Sequence, residues 1–519
     1  MSDNQPTPET PSSDYEAMAP FWRVVRAILA GAPAMRCEAY LPKLPQEGKE
    51  DHKCRMDLSP FTNVYGDIAS DLASKPFAKA VLLSPDASPR IAGEPNRDGV
   101  RSGGLVENID AQGNSLHAFS STAFAEGVNK GLTWIIVDHT RPRVQPVGRP
   151  LTQAEEAAQG LRPYWVHVPP ENVIAAYSAV VDGEEALFHV RIKECIRRRD
   201  GWGEQEIERV RVMNREIIEA TPDGEPLVLG PPTWTLYEER TNPVTGREEW
   251  VEVDAGAYSV PWIPAVPIFL GQREGNSFRV VPPLRDLAHM QIAEFRQEAN
   301  IESISTLTAF PMLAGNGVQP PTDTQGAPIM VPVGPRSVLF APPGGDGSHG
   351  EWKFIEPSAE SLKFLEERLK TCREEMRTLG MQPLARANLT VVTSGNLSRK
   401  ASSQVEKWAI LFEDGLNRAL AMTSAYLGEP DTTAATLYKD FAIEAEEGAE
   451  VTALLKAEAQ GIISKRVVAD EMKRRNVLAD SYDHEADQLQ LAEEQAGLEP
   501  EMTIDPITGQ EIPPGGLAA

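Results

Sequence analysis

The residues of this chain that could do chemistry are scattered, and few stand at a spacing that chemistry needs. Gly345, Gly347 and Gly350 in GGDGSHG (344–350) make a literal GxGxxG. Such glycines cradle dinucleotide phosphates only between a strand and a helix. Here APP precedes them and the strand-like EWKFIEP follows, so they read as a flexible turn. No GxxxxGK[ST] occurs, so the chain carries no P-loop. GxSxG and HExxH are also missing from the sequence. The histidines at 52, 117, 139, 167, 189, 289, 349 and 484 never fall at metal-ligand spacing. Asp138-His139 pairs an acid with a base at a strand end, and surface placement is the simpler reading. Arg197-Arg198-Arg199 and Lys473-Arg474-Arg475 are the densest basic spots, each read as a solvated turn or a subunit contact. Asn396-Leu397-Ser398 fits a glycosylation sequon that a cytoplasmic chain would not use.

Bulk properties bound the class. The chain has 519 residues, enough for two to four domains, and 41% of them are hydrophobic, enough for a large core. Lys plus Arg total 50 and Asp plus Glu total 76, a net charge of −26. Tight nucleic-acid binding draws on Lys and Arg releasing counterions from phosphates, which this balance opposes. An acidic wall still suits nucleic acid that must slide past. Cys37, Cys54, Cys195 and Cys372 are scattered, with no CxxC pair, and read as reduced thiols. No apolar stretch is long enough for a membrane span. The polar start MSDNQPTPETPSSD lacks the apolar core of a signal peptide, so the expected compartment is a reducing cytoplasm.

The elements that must position these residues fall into a clear order. Residues 1–13 and 496–519 are rich in Pro, Ser, Thr or Gly and read as loose tails. Between 15 and 130 helices are expected at Tyr15–Leu29, Ser59–Lys75 and Ser115–Gly131, the last capped by Asn114-Ser115 and ended by Gly131. From 132 to 270 the period changes to two. TWIIVD (133–138), YWVHV (164–168), EALFHVRIKECI (185–196), IERVRVMN (207–214), TWTLYEE (233–239) and EEWVEVDAG (248–256) predict an antiparallel sheet, with a hairpin across TNPVTG.

A helix then runs from Leu284 to about Thr308. Residues 309–357 are dense in Pro and Gly, with strand candidates PIMVPV (328–333), SVLFAP (337–342) and WKFIEP (352–357). Leu362, Leu365, Leu369, Cys372, Met376 and Leu379 are spaced 3, 4, 3, 4 and 3, one apolar seam on a helix that Ser358 can cap and Gly380 can end. Lys363, Glu366, Glu367, Arg368, Lys370, Arg373, Glu374, Glu375 and Arg377 make its charged flanks. Residues 381–396 read as a loop. A second long helix follows over 397–427, with Val405, Trp408, Phe412, Leu416, Leu420 and Leu427 on one face. Residues 436–495 are helical again, with a cap at Ser464. Residues 430–519 hold 7 basic and 19 acidic residues, a net of 7 − 19 = −12.

This order resembles the portal proteins of tailed bacteriophages. SAESLKFLEERLKTCREEMRTLGMQPL is similar to the family's helix ending in a GxPPxL-like turn, here Gly380-Met381-Gln382-Pro383-Leu384. SGNLSRKASSQVEKWAILFEDGLNRAL resembles the helix after the family's tunnel loop. GIISKRVVADEMKRRNVL resembles a crown-proximal segment, with Asn476 where glycine is commoner. YWVHVPPENVIAAY (164–177) resembles a wing-sheet phrase of a portal-like family formerly of unassigned function.

The resemblance implies an α+β portal fold assembling as a ring. After a tail at 1–13, the wing would be 14–281, the first stem helix 282–308, the clip 309–357 and the second stem helix 358–380. The tunnel loop would be 381–396, a wing helix 397–429, the crown 430–495 and a flexible tail 496–519. Leu384, Arg386, Asn388, Leu389, Val391 and Val392 would face DNA in the tunnel loop. Leu362, Leu365, Leu369, Met376 and Leu379 would form the stem seam, with the charged flanks of that helix, Arg373 among them, facing neighbours or the lumen, and Arg336, Phe340 and Trp352 would form the clip. The family's assembly is a dodecamer at the capsid vertex of the virion, a conduit for double-stranded DNA without sequence preference. Its partners are the large terminase, then a head–tail adaptor, and the major capsid protein. No catalytic residue, cofactor, metal or membrane is implied. Another head-assembly protein, such as a scaffold or minor head protein, and an acidic enzyme with an unrecognised site stay open as alternatives.

Overall fold

The structure is a computed structural model. It describes residues 6–45, 47–96, 101–142, 152–222, 224–241, 246, 248–309, 312–316, 351–355, 359–380 and 391–439 of a first unit. Of a second unit it describes 455–456, 458–460, 464–474, 484, 487–488, 503–504 and 511–512.

The first unit opens with α1 (Ser13–Ala30). Ser12 caps it by accepting from the Tyr15 amide, and Met18, Trp22, Val25 and Ile28 recur at helical spacing to form its buried stripe. Residues of the expected N-terminal tail lie against the sheet described below. Arg191 donates to the Thr7 and Pro8 carbonyls, and Lys193 pairs with Glu9 at 2.8 Å. Helix α2 is Val64–Ser74 and α3 is Leu116–Lys130. The expected boundaries of α3 are those observed. The Ser115 hydroxyl accepts from the Ala118 amide, and Gly131 ends the helix in the left-handed region at φ 82°.

Strands β1 (Leu132–His139) and β2 (Pro163–Val168) come next. They are followed by β3 (Val173–Val181), β4 (Glu184–Asp200), β5 (Gly203–Ala220), β6 (Pro226–Thr241), β7 (Glu248–Ala257) and β8 (Ala265–Phe269). They make two antiparallel sheets. The smaller runs β8-β1-β2, with Ile136 opposite Ala265 and Trp134 opposite Val168. Its central strand is buried from Leu132 to Val137, as a strand covered on both faces must be. The larger sheet is a meander, β7-β6-β5-β4-β3. Its base shares one core with the smaller sheet, where Trp134 and Ile136 join Val190, Ile192 and Met213.

Away from that base the meander becomes a bare arm. Strands β4, β5 and β6 hold 17, 18 and 16 residues, so each reaches roughly 50–60 Å at about 3.3 Å per residue. Beyond residue 194 of β4 few side chains are buried, and Trp202 in the β4–β5 turn is fully exposed. Cross-strand ion pairs replace a core there: Arg197–Glu206 at 3.0 Å, Lys193–Glu208 at 2.8 Å and Arg209–Glu238 at 2.8 Å.

The chain then forms α4 (Arg285–Ala309), β9 (Met312–Asn316), β10 (Glu351–Ile355), α5 (Ala359–Leu379) and α6 (Val391–Leu427). Strands β9 and β10 pair antiparallel, Met312 opposite Ile355 and Gly315 opposite Trp352. Helices α4 and α5 pack on each other, and α6 lies on the smaller sheet. In the second unit the described elements are α7 (Lys465–Arg474) and a small pair, β11 (Thr503–Ile504) with β12 (Glu511–Ile512). The expected cap of α7 is present: the Ser464 hydroxyl accepts from the Val467 amide.

Candidate functional site

The segment from α4 to α6 gathers most of the residues singled out from the sequence. The seam of α5 is most deeply buried at Leu369 and Met376 and opens toward both ends. Met376 is 0% exposed and Leu369 is nearly buried, Leu362 and Leu365 are half-buried, and Phe364 beside them is 64% exposed. Leu379, expected to close the seam, is 45% exposed. It lines a small cavity with Leu284, Leu287, Gly380, Val405 and Trp408, where α4 begins and α5 ends.

Arg373 departs from its expected position facing neighbours or a lumen. It turns inward between α4 and α5. Its guanidinium contacts the Glu294 carboxylate at 2.6 Å and the Glu298 carboxylate at 2.5 Å. Glu294 is wholly buried and also accepts from Gln291 Nε2 at 2.9 Å. Gln291 ties the group to the segment before α2, donating to the Thr62 carbonyl and accepting from the Tyr65 amide. Thr62 donates to Glu298 through its hydroxyl at 2.9 Å. Two carboxylates, one wholly buried and one partly exposed, thus share one partly exposed guanidinium. Burial, with Glu298 adding to it, pushes the Glu294 carboxyl up to about 7 despite Arg373. Near neutral pH the cluster changes charge by one proton.

Helix α6 is seated differently. Val405, Phe412, Leu416 and Leu420 are fully buried and Trp408 nearly so. Phe412 meets Phe124 and Phe77 edge to face, at 5.3 and 6.4 Å. Gly415 allows a close approach: a Cβ there would stand 2.6 Å from Ile268 of β8. Trp165 of β2 donates to the Thr423 hydroxyl at 2.8 Å. The helix starts at Val391, six residues before its expected start at 397, so Val391 and Val392 are helical where a loop was expected. Leu384, Arg386, Asn388 and Leu389 lie outside the described residues, as do Arg336 and Phe340 and the strand candidates at 328–333 and 337–342. Trp352 lies on β10.

The other candidates for chemistry are engaged structurally. Asp138 accepts from Arg211 Nη1 at 3.0 Å and from the Tyr164 hydroxyl at 3.3 Å. His139 bonds the Thr140 carbonyl. Burial, helped by Lys130, drives His167 down to about 4, so it is neutral against the Thr133 hydroxyl. Among the described residues, no group of three or more His, Cys, Asp or Glu is placed to hold a metal ion. Among them, too, no helix is long and apolar enough to cross a membrane.

The profile of one family, described as a domain of unknown function (DUF4055), matches residues 283–427. Those residues are α4, the β9–β10 pair, α5 and α6. A comparison with curated proteins finds no match.

Proposed function

We propose that this chain is one subunit of the portal of a tailed bacteriophage, a ring that passes double-stranded DNA into and out of the capsid. The observation that carries the reading is the order α4, β9–β10, α5, α6. Two long helices pack side by side, an insertion leaves from a paired neck between them, and a third helix returns onto a sheet. In this reading α4 and α5 are the stem, residues 309–357 the clip and residues 381–390 the tip of the tunnel loop. The helical start at Val391 makes that loop shorter than the sequence suggests.

The remaining assignments follow from this one. The clip docks the large terminase during packaging and the head–tail adaptor afterwards. The wing meets the major capsid protein, and the second unit supplies the crown. The energy for packaging comes from a partner, because no P-loop is present. The net charge of −26 per subunit repels phosphate within about a Debye length of roughly 8 Å, which keeps DNA moving. Light scattering and negative-stain imaging of the purified full chain test the reading. Closed rings with an opening wide enough for a duplex are expected. A monomer at every concentration, or irregular aggregates alone, would overturn it.

A further inference from the structure

Among the described residues, two backbone edges of the larger sheet's arm have no strand paired to them. Strand β3 pairs with β4 only as far as Val173 opposite Ile192, so among the described residues the stretch 193–200 pairs with β5 alone, and the Glu9 carboxylate reaches the start of that stretch at Lys193. Strand β7 closes the other side of the sheet and pairs with β6 alone. Among the described residues, no backbone hydrogen bond reaches the outer edge of either stretch. Open edges of this length recruit further strands unless something covers them.

The two edges complement each other. Residues 193–200 (KECIRRRD) carry four basic and two acidic groups, 4 − 2 = +2, whereas residues 248–254 (EEWVEVD) carry four acidic groups and no basic one, −4. Lys193 and Arg197 already pair with glutamates of the chain and Asp254 with Arg141, so the complementarity rests chiefly on Arg198 and Arg199 of one edge and Glu248 and Glu252 of the other. Strand β4 runs toward the arm's tip and β7 runs away from it, so edges of two copies with tips aligned meet antiparallel. The register within the chain fixes the faces. Ile196 shares a face with Val190 and Arg198, and Val251 shares that same face through Glu238, Arg209 and Glu194. Ile196 and Val251 are 37% and 39% exposed, one on each edge.

We propose that the occupant of each edge is a second copy of this chain, β4 of one copy pairing antiparallel with β7 of the next, Ile196 opposite Val251. Arg198 then stands opposite Glu249, Arg199 opposite Glu248, and Arg197 opposite Trp250, where a guanidinium stacks on an indole. Cys195, which is exposed, stands opposite Glu252. The contact joins unlike surfaces, so it propagates head to tail and closes only as a ring. The inference takes from the portal reading that copies associate around an axis; the edges and their register come from the sheet.

The test is one added cysteine. In full-length Glu252→Cys, mild oxidation is expected to link Cys195 of one copy to the thiol introduced at position 252 of the next. Directly opposed Cα atoms lie about 4.5–5.5 Å apart, within disulfide reach. A ladder of covalent multimers is expected, and it must vanish when Glu252→Cys is combined with Cys195→Ser. Arg199→Glu should raise the concentration needed for assembly roughly tenfold or more, and adding Glu248→Arg should restore it. Rings that form without the Cys195-dependent ladder overturn the edge pairing and leave the portal reading standing. Cross-linked open chains that never close support the pairing and count against the portal. A chain that stays monomeric overturns both.

Discussion

Helix α6 and helix α5 are both long, amphipathic and central to the matched segment, yet opposite forces seat them. Helix α6 is held by shape: five apolar side chains over four turns, buried against a sheet and a phenylalanine cluster. Helix α5 is held by an ion cluster around Arg373 and leaves apolar side chains exposed toward both ends, Phe364 and Leu379. A seat defined by shape is finished within the subunit. A seat defined by one shared guanidinium leaves Phe364 open within the subunit, and in the proposed ring a neighbouring copy would cover it.

The largest effect should come from the shape-held seat. Phe412→Ala removes a fully buried ring from the Phe77–Phe124 cluster and should cost about 3–5 kcal/mol in chemical denaturation. A loss under about 1 kcal/mol would mean that α6 is not seated as described.

In the ion-held seat, Arg373→Met strands two carboxylates that share one partner. At pH 8 it should cost about 3 kcal/mol. At pH 6 the loss should be smaller, because Glu294 takes up a proton. An equal loss at both values would show that Glu294 does not carry the charge. Glu294→Gln sharpens the point from the other side. The folded-state pKa of Glu294, about 7, lies above its ordinary value of 4.5, so the folded state holds the proton more tightly. Stability from this group is complete below about pH 4.5 and falls as pH rises through about 7. The glutamine variant should flatten that fall by about 1–3 kcal/mol. A wild-type stability that stays flat between pH 5 and 8 would break the assignment.

The contrast also explains what could be read before the fold was known. The shape-held parts were legible: the stripe of α6, the strand series from 133 to 256, and both ends of α3. Apolar spacing is local, and local spacing is what a sequence displays. Arg373 was placed toward neighbours or a lumen because it stands among the mixed charges that flank the seam of α5. The carboxylates that turn it inward lie 79 and 75 residues upstream, where no spacing rule links them. Strand β3 (VIAAYSAVV) lacks alternation, and β8 (AVPIF) holds Pro267, tolerable only because β8 is an edge strand. The early start of α6 was hidden by β-branched residues and Gly395, which are poor helix formers.

Gly415→Ala asks how tightly the shape-held seat is drawn. The change should gain about 0.5–1 kcal/mol of helix propensity, because glycine is a poor helix former. It also sets a Cβ 2.6 Å from Ile268, and such overpacking costs about 1–3 kcal/mol. Net destabilisation of about 1 kcal/mol is expected; a gain would show that β8 and α6 yield to each other.

The smallest effect on the subunit is the most telling about the open seat. Phe364 is 64% exposed, in the first half of α5 beside the seam. In an isolated subunit Phe364→Ser should shift stability by no more than about 0.5 kcal/mol, because the ring buries little surface there. In an assembled ring the same side chain would be covered, and its loss would be felt as weaker association without any change in the fold. Denaturation of dilute monomer and the yield of rings at high concentration separate the two. Unchanged stability with reduced ring yield places a neighbour on that end of α5. Unchanged ring yield would mean that this end stays in solvent even in the assembly, and that the ring is held elsewhere, foremost along the arm.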